Sequence, residues 1–270
     1  MMIGILYICT GLYSVFWRDF YLTSEKYLFP NIQKKYFVFT DQHNIYGEMD
    51  NANITLINTP HREWPNNTLL RFAMFFEHRK SYLDCDYLFF YNANTIFTNV
   101  IELDEILPNY EDGYLVALCN NDVFSPSTSD EYTYDRNPLS TAFIAFGKGE
   151  EYFRGGFNGG RTKEYLHLVD VCRINIQIDL KNGVTALWHD ESHLNKYLLD
   201  KKCKKINSVY GKAEEWDEPL NAKVVFRNKK RILGKKNIMK IKTNSDYKIY
   251  SIRRFLKKTL KYIIIQLNKI

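Results

Sequence analysis

The stretch DYLFFYNANTIF, from Asp86 to Phe97, decides the expected fold. Its apolar run, Tyr87 to Tyr91, is typical of a strand buried on both faces of a parallel sheet. Two neutral carboxamides, Asn92 and Asn94, follow the run directly. Ligands bind beyond the carboxyl ends of strands in such sheets, so these amides fall where a binding site is expected.

The segments around this stretch alternate between strand and helix patterns. MIGILYI, QKKYFVFTDQ and ITLINT predict strands, whereas GLYSVFWRDFYLTSEKYLF and TLLRFAMFFEHRKSYL space their apolar residues at helical intervals. This alternation predicts an α/β fold, a single domain with a mixed, mostly parallel sheet flanked by helices. The strand ends carry CTGLY, TDQ and NAN, which we expect to meet at one edge of the sheet.

Composition indicates a globular intracellular protein. The 270 residues are 45% hydrophobic, enough to bury a full core. The five cysteines are odd in number and widely spaced, which favours reduced thiols over disulfides. The chain has no apolar run of about 20 residues and no signal-peptide pattern, so we expect it in the cytoplasm.

Positive charge is concentrated at the C-terminus. Residues 229–270 carry 14 Lys and Arg against one acidic residue, a net charge of +13. Since the whole chain has a net charge of +6, residues 1–228 have a net charge of −7. We therefore divide the chain into a catalytic domain, 1–228, and a basic segment, 229–270. The segment ends in an amphipathic pattern, YSIRRFLKKTLKYIIIQLNKI, which fits attachment to the anionic inner face of a membrane, a helix packed on the body, or a disordered tail. No base-stacking motif accompanies the charge, so nucleic acid is not an expected partner.

The run ALWHDESHLNKYLLDKK holds the candidate catalytic residue. Its apolar stripe predicts a helix with Asp190 as N-cap and Glu191 in the first turn. The helix dipole favours an ionised carboxylate there, which suits a nucleophile or a stabiliser of a cation, although both acids would also serve as simple helix caps. A zinc site at His189 and His193 is disfavoured because the helix starts between them.

The glycine-rich run RGGFNGG, Arg154 to Gly160, would allow the backbone to approach a ligand closely. The same run could equally form a turn. It lacks the lysine and the spacing of a P-loop.

WHDESHLNKYLL, with FVFTDQ, TYDRNPLS and GGFNGG in this order and spacing, resembles glycosyltransferase family 6, which includes the histo-blood-group A and B transferases and α-1,3-galactosyltransferase. The resemblance covers about Ile3 to Asn237 and is nearest to bacterial members without a membrane anchor. It implies a GT-A fold and retaining transfer of galactose or N-acetylgalactosamine from a UDP-sugar, in α-1,3 linkage, to a galactosyl acceptor.

The resemblance also implies a set of site residues. Glu191 would be the catalytic residue at the anomeric carbon. Donor-site positions are Ile8, Cys9, Thr10, Tyr13, Arg71, Asn92, Ala93, Asn94, Gly155, Gly156, His189 and Asp190. Acceptor-site positions are Thr133, Trp188 and Asp217. For each residue the competing reading is ordinary packing, capping or turn formation.

Asn92 and Asn94 stand where the family has Asp-x-Asp, whose carboxylates hold Mn²⁺ and through it the UDP diphosphate. Neutral amides put that metal in doubt, so we expect no metal cofactor. Cations of the run RNKKRILGKKN are expected to act instead, with Lys235 and Lys236 as candidates.

Gly156 favours UDP-N-acetylgalactosamine, because relatives that use this donor have a glycine at that position. The expected acceptor is an oligosaccharide with a terminal, fucosylated galactose. Two alternatives stay open: α-1,3-galactosyl transfer from UDP-galactose, and a non-catalytic glycan-binding protein that has lost metal and activity.

Overall fold

The computed structural model describes residues 1–49, 51–119, 121–122 and 128–234. Seven strands form the main sheet in the order β3-β2-β1-β4-β7-β6-β8, and three short strands form a second sheet in the order β5-β10-β9. The strands are β1 Met2–Ile8, β2 Gln33–Thr40, β3 Ile54–Asn58, β4 Tyr87–Tyr91, β5 Thr95–Phe97, β6 Leu115–Cys119, β7 Phe153–Arg161, β8 Lys204–Ile206, β9 Lys212–Ala213 and β10 Val224–Phe226.

Helices cover both faces of the main sheet, as the α/β prediction requires. They are α1 Trp17–Tyr27, α2 Asn66–Leu69, α3 Arg71–Glu77, α4 Leu103–Ile106, α5 Thr162–Lys181, α6 Asp190–Leu198 and α7 Lys229–Leu233. Along β1, alternate residues enter two separate cores. Ile5 packs with Trp17 and Phe20 of α1, whereas Leu6 packs with residues of α3, α5 and α6. A strand covered on both faces has no polar side, which explains its continuous apolar sequence.

The sheet is mixed. Strand β1 pairs in parallel with β2 and β4, but β7 runs antiparallel to both β4 and β6. The beginning of β7 therefore lies at the edge where β1 and β4 end. The predicted mixed, mostly parallel sheet is thus confirmed. The sequence did not predict that the reversal brings a glycine-rich strand next to the two amides.

The run RGGFNGG is part of strand β7 and forms neither a turn nor a phosphate loop. Its second glycine pair is required by packing. A Cβ on Gly159 would lie 2.4 Å from the carbonyl oxygen of Leu88, and one on Gly160 would lie 2.3 Å from that of Tyr114. Side chains have no room at these positions, so packing within the sheet explains Gly159 and Gly160.

Candidate active site

The uridine-site candidates lie together at the end of β1. Thr10 is buried, and its hydroxyl accepts a hydrogen bond from Asn67 Nδ2 at 2.9 Å. Cys9 is also buried, and burial raises the pKa of its thiol to about 12, so it stays protonated. Tyr13 follows in the 3₁₀ helix Gly11–Phe16, half-buried, with Lys229 Nζ 5.4 Å from its ring centroid. Ile8, half-buried, ends the strand.

The amides at the end of β4 are tied to three other elements. The hydroxyl of Tyr7 donates to the carbonyl of Ala93 at 2.7 Å, which joins β4 to β1. The backbone N–H of Asn92 donates to the carbonyl of Gly156 at 2.9 Å, which joins β4 to β7. The side chain of Asn94 donates to the carbonyl of Arg227 at 2.6 Å. The motif is thus a junction between the sheet edge and the start of the basic segment.

Asn94 and Arg227 hold each other by two bonds, because Arg227 N–H also donates to the carbonyl of Asn94 at 2.8 Å. An aspartate in place of Asn94 would set a carboxylate oxygen against the Arg227 carbonyl. The other side-chain atom, Oδ1 of Asn94, is buried and has no hydrogen-bond partner in the described part of the chain. This site therefore contains one buried acceptor that a bound polar ligand can satisfy.

Glu191 is held through both carboxylate oxygens. The hydroxyl of Tyr152 donates to Oε1 at 2.6 Å, and the backbone N–H of Gly155 donates to Oε2 at 2.6 Å. Burial, and then the charge of Glu191, raise the pKa of Tyr152 well above its ordinary value, so the hydroxyl remains a donor. Hydrogen bonds to both oxygens fix the orientation of the carboxylate.

The helix that carries Glu191 begins one residue earlier than predicted. Asp190 is its first residue, and His189 is the N-cap, with a positive φ of 55°. Such a φ is strained for a residue with a side chain. His189 is buried, and its ring contacts that of Trp64 edge-on at a centroid distance of 5.0 Å.

Arg71 and Asp190 form a buried ion pair behind Glu191. Arg71 also donates to the carbonyl of Gly155 at 2.9 Å, and its guanidinium lies 4.0 Å from the ring centroid of Phe90. Burial raises the pKa of Asp190 to about 7, and the charge of Arg71 acts in the opposite direction. Arg71 thus links the glycine strand, through Gly155, to the catalytic helix, through Asp190, from inside the protein.

Two of the acceptor-site candidates lie near Glu191. Thr133, exposed, makes a side-chain hydrogen bond with Tyr152, the donor to Glu191. Trp188, half-buried, packs against the cluster of Tyr132, Tyr134, Ile144 and Tyr152. Asp217 is exposed on a loop, where Lys212 Nζ donates to its carbonyl at 2.8 Å; no contact in the described residues joins it to Glu191.

The sequence prediction missed two residues beside Glu191, Tyr152 and Arg154. The guanidinium of Arg154 lies 4.9 Å and 5.2 Å from the ring centroids of Trp216 and Phe226 and donates to the carbonyl of Gly211 at 2.6 Å. Burial lowers the pKa of Arg154, while the Glu191 carboxylate acts to raise it. Both residues lie within three positions before the glycine pair, but only the antiparallel course of β7 shows that they lie beside the helix of Glu191.

The space beside Gly156 is filled by an aromatic ring. A Cβ on Gly156 would lie 2.8 Å from Cζ of Phe226 and 3.3 Å from Nδ2 of Asn92. A Cβ on Gly155 would lie 3.2 Å from Oε2 of Glu191. The space beside Gly155 is therefore occupied by Glu191, and the space beside Gly156 by Phe226. Gly156 is the residue on which the prediction of the donor sugar rests.

Lys235 and Lys236 lie outside the described residues, as does the amphipathic run after them. The basic segment is described as far as Gly234. Arg227, just before it, bonds to Asn94, and Lys229 lies over the ring of Tyr13. In the described residues, no three His, Cys, Asp or Glu side chains are grouped as a metal site would need, and no helix is long and apolar enough to cross a bilayer.

Comparison with known proteins gives a consistent set of relatives. The profile of Glycosyltransferase family 6 matches residues 1–243. The chain is 34% identical over 240 residues to the O-antigen biosynthesis glycosyltransferase WbnI of Escherichia coli, covering 89% of this chain and 100% of that protein.

Animal relatives are more distant and longer. Identity is 30% over 224 residues to the histo-blood group ABO system transferase 1 of Rattus norvegicus, and 26% over 212 residues to the globoside alpha-1,3-N-acetylgalactosaminyltransferase 1 of Homo sapiens. These alignments cover 81% and 76% of this chain but only 62% and 59% of the two animal proteins.

Proposed function

Since the chain belongs to glycosyltransferase family 6, we propose that it is a retaining α-1,3-N-acetylgalactosaminyltransferase that works without a metal ion. Membership makes it a hexosyltransferase with a nucleotide-sugar donor and a glycan acceptor. The donor sugar, the linkage, the acceptor and the metal independence are the proposed part. They are supported by the site geometry and by relatives named for blood-group and α-1,3-N-acetylgalactosaminyl transfer.

The observation that carries the proposal is the doubly bonded carboxylate of Glu191. Its oxygens are oriented by Tyr152 and Gly155, so the carboxylate is ready to face a developing positive charge. When the bond between C1 of the sugar and the UDP oxygen breaks, UDP leaves with the electron pair and C1 becomes cationic. Glu191 stabilises that centre from the β face, or bonds to it.

The acceptor completes the reaction on the α face. Its hydroxyl oxygen bonds to C1, and its proton passes to a phosphate oxygen of the departing UDP. Where Glu191 has bonded to C1, that bond breaks and the carboxylate is restored. The product is α-linked and keeps the configuration of the donor. Two routes lead to this outcome, a double displacement through a Glu191 adduct and a front-face displacement. Thr133 and Trp188, which lie on the Tyr152 side of Glu191, are the proposed contacts to the acceptor.

The donor set at the end of β4 does not fit a hard divalent cation. Asn92 and Asn94 offer neutral oxygens where Mn²⁺ prefers anionic ones. The Asn94 amide is also already bonded to the carbonyl of Arg227. We therefore propose that amide N–H groups and cations of the basic segment offset the negative charge that develops on UDP.

Among the described cations, Lys229 is a candidate for this role. Its ammonium group lies 5.4 Å from the ring centroid of Tyr13, a proposed uridine-site residue. Lys235 and Lys236 remain proposed contributors from the part of the segment outside the described residues. Favourable contact of an ammonium group with a diphosphate needs no metal bridge.

The donor sugar has a second candidate, galactose. Gly156 favours N-acetylgalactosamine by family analogy, but the ring of Phe226 fills the space that the missing side chain leaves. An acetamido group would have to lie beside this ring. Galactose lacks the acetamido group and needs no additional space beside the ring of Phe226.

Product analysis tests the proposal. The purified protein is incubated with UDP-N-acetylgalactosamine or UDP-galactose and with fucosylated or plain lactose, and the product linkage is determined by NMR. We expect N-acetylgalactosamine in α-1,3 linkage, with the fucosylated acceptor preferred. A β-linked product, or no transfer from either donor, would contradict the proposal, and faster transfer of galactose would support the second candidate.

A further inference from the structure

A buried carboxamide joins α6, the helix that carries Glu191, to the first residue of strand β7. Asn195 is 2% exposed and lies on α6, one turn after Glu191. Its Nδ2 donates to the backbone carbonyls of Phe153 at 2.8 Å and Glu191 at 2.9 Å, and its Oδ1 accepts from the N–H of Phe153 at 2.8 Å. The side chain thus bonds to Phe153 as a peptide group of a neighbouring strand would.

The residue to which Asn195 bonds lies between the two donors to Glu191. Tyr152 precedes Phe153, and Gly155 follows it by two residues. The segment from Tyr152 to Gly155 therefore carries both groups that orient the carboxylate. Any shift of this segment against α6 would change the two 2.6 Å contacts to Glu191.

We infer that Asn195 is a positioning residue for the transfer reaction, because it fixes the carboxylate of Glu191 against the two groups that orient it. The inference rests on the proposed function of Glu191. Arg71 makes a second bridge between these elements through Asp190 and Gly155. Asn195 acts at the opposite end of the segment, next to Tyr152.

The chemistry of the position explains why an amide is present. A single small group must donate to one carbonyl and accept from one N–H of the same residue, and only a carboxamide does both at every pH. An ionised aspartate would accept from Phe153 N–H but would repel its carbonyl. A protonated aspartic acid would supply an O–H and a carbonyl oxygen, and so would restore most of the pairing.

This difference gives a test by pH. The variants Asn195→Ala and Asn195→Asp are compared with the wild type in kcat and in KM for the UDP-sugar, from about pH 8.5 to about pH 5.5. We expect Asn195→Ala to lower kcat about 100-fold throughout, because misplacement of reacting groups by about 1 Å has that effect. The ratio of the Asn195→Asp kcat to the wild-type kcat should rise as the pH falls.

A control and a binding measurement separate positioning from loss of fold. Gln177→Glu makes the same change from amide to acid at an exposed position of α5 and should leave kcat unchanged. The KM for the donor in the Asn195 variants should stay within about threefold of the wild-type value, because donor contacts are retained. A kcat for Asn195→Ala within about twofold of wild type, or an Asn195→Asp ratio that does not vary with pH, would overturn the inference.

A double variant provides an independent readout. If Asn195 acts through Glu191, adding Asn195→Ala to Glu191→Gln should leave the residual transfer rate unchanged. A further drop in that rate would instead assign Asn195 a role that does not pass through the carboxylate. Failure of the proposed function is distinguishable, because the wild type would then transfer no hexose from either UDP-sugar.

Discussion

The carboxylate of Glu191 accepts one hydrogen bond on each oxygen, and Gln at this position would turn an N–H group towards one of those donors. The variant Glu191→Gln should therefore lose both the negative charge and the fixed orientation. We expect kcat to fall by at least about 10²- to 10³-fold, the range found when one group that stabilises developing charge is removed. The dissociation constant of UDP, measured by calorimetry, should be nearly unchanged.

The matched control for this residue is Glu77→Gln, which removes one exposed carboxylate at the end of α3. It should retain wild-type kcat. A Glu191→Gln variant with a near-normal transfer rate would show that the reaction does not depend on this carboxylate.

Asn94 is predicted to hold Arg227, two residues before the basic segment, rather than a metal ion. In the variant Asn94→Asp, a carboxylate oxygen would face the carbonyl of Arg227 in place of the 2.6 Å hydrogen bond. We expect the free energy of unfolding to fall by about 1–3 kcal/mol, the cost of leaving a buried polar group without its partner. Denaturant unfolding measures this change.

Asn92→Asp makes the same charge change two residues away, at a half-buried side chain, and should destabilise less. Addition of Mn²⁺ should not raise the transfer rate of either variant, since a single carboxylate does not recreate the paired ligands of Asp-x-Asp. Equal stability of Asn94→Asp and the wild type would rule out the proposed role of the amide.

At the scale of elements, the attachment of α6 to α5 should depend on pH through His193. His193 is buried 3.6 Å from Asp179, with Asp135 as the second charged neighbour. Burial lowers the pKa of His193 to about 4. In the unfolded chain it returns to about 6.5, so between these values the unfolded state binds the additional proton and stability decreases as the pH falls.

The expected loss from His193 is on the order of 3 kcal/mol between about pH 7 and about pH 4. Asp190 acts in the opposite sense, because its raised pKa stabilises the folded state at low pH relative to neutral pH. The comparison of wild type with His193→Gln removes this contribution, since both proteins contain Asp190. The stability advantage of the wild type should shrink on acidification, and an advantage that is constant from neutral pH to about pH 4 would contradict the assignment.

The elements could largely be predicted from the sequence, because their buried faces are long and regular. Apolar runs marked β1, β2 and β4, and the stripe around Leu194 marked α6 to within one residue. The antiparallel strand β7 could not be predicted, because four glycines in RGGFNGG remove the apolar signal of a strand. Those glycines are explained by neighbouring backbones, which are distant in sequence.

The candidate site could also be predicted only in part from the sequence. The motif WHDESHLNKYLL located Glu191, and the strand ends located Thr10 and the amides, since these features are local. The contacts of Glu191 with Tyr152 and Gly155, and that of Asn195 with Phe153, arise from the packing of α6 on the start of β7. Only Glu191 itself carries a sequence signal for chemistry, because a tyrosine or asparagine in a strand or helix is usually structural.

At the scale of the whole molecule, the uneven charge distribution supports the proposed mechanism. The body is net acidic, and the residues just before the basic segment are held at the end of β4, where Asn94 bonds to Arg227, and by Glu214, which bonds to Asn228. Glu214 Oε2 accepts from the N–H of Asn228 at 2.6 Å, and its carboxylate also pairs with Arg231. The body therefore holds the described start of the segment, where Lys229 lies over the ring of Tyr13.

Attachment of the amphipathic run in residues 250–270 to a membrane remains a prediction. Vesicle co-sedimentation with anionic and neutral lipids tests it. Binding that requires anionic lipid and is reduced by salt is the expected result, because the run combines Lys and Arg with an apolar stripe.

The metal dependence of transfer tests the central claim most directly. The initial rate of sugar transfer is measured on protein freed of metal by a strong chelator, and again after addition of excess Mn²⁺. We predict equal rates, because amides and cations of the basic segment offset the charge on the departing UDP. A rate that collapses with the chelator and returns with Mn²⁺ would contradict it.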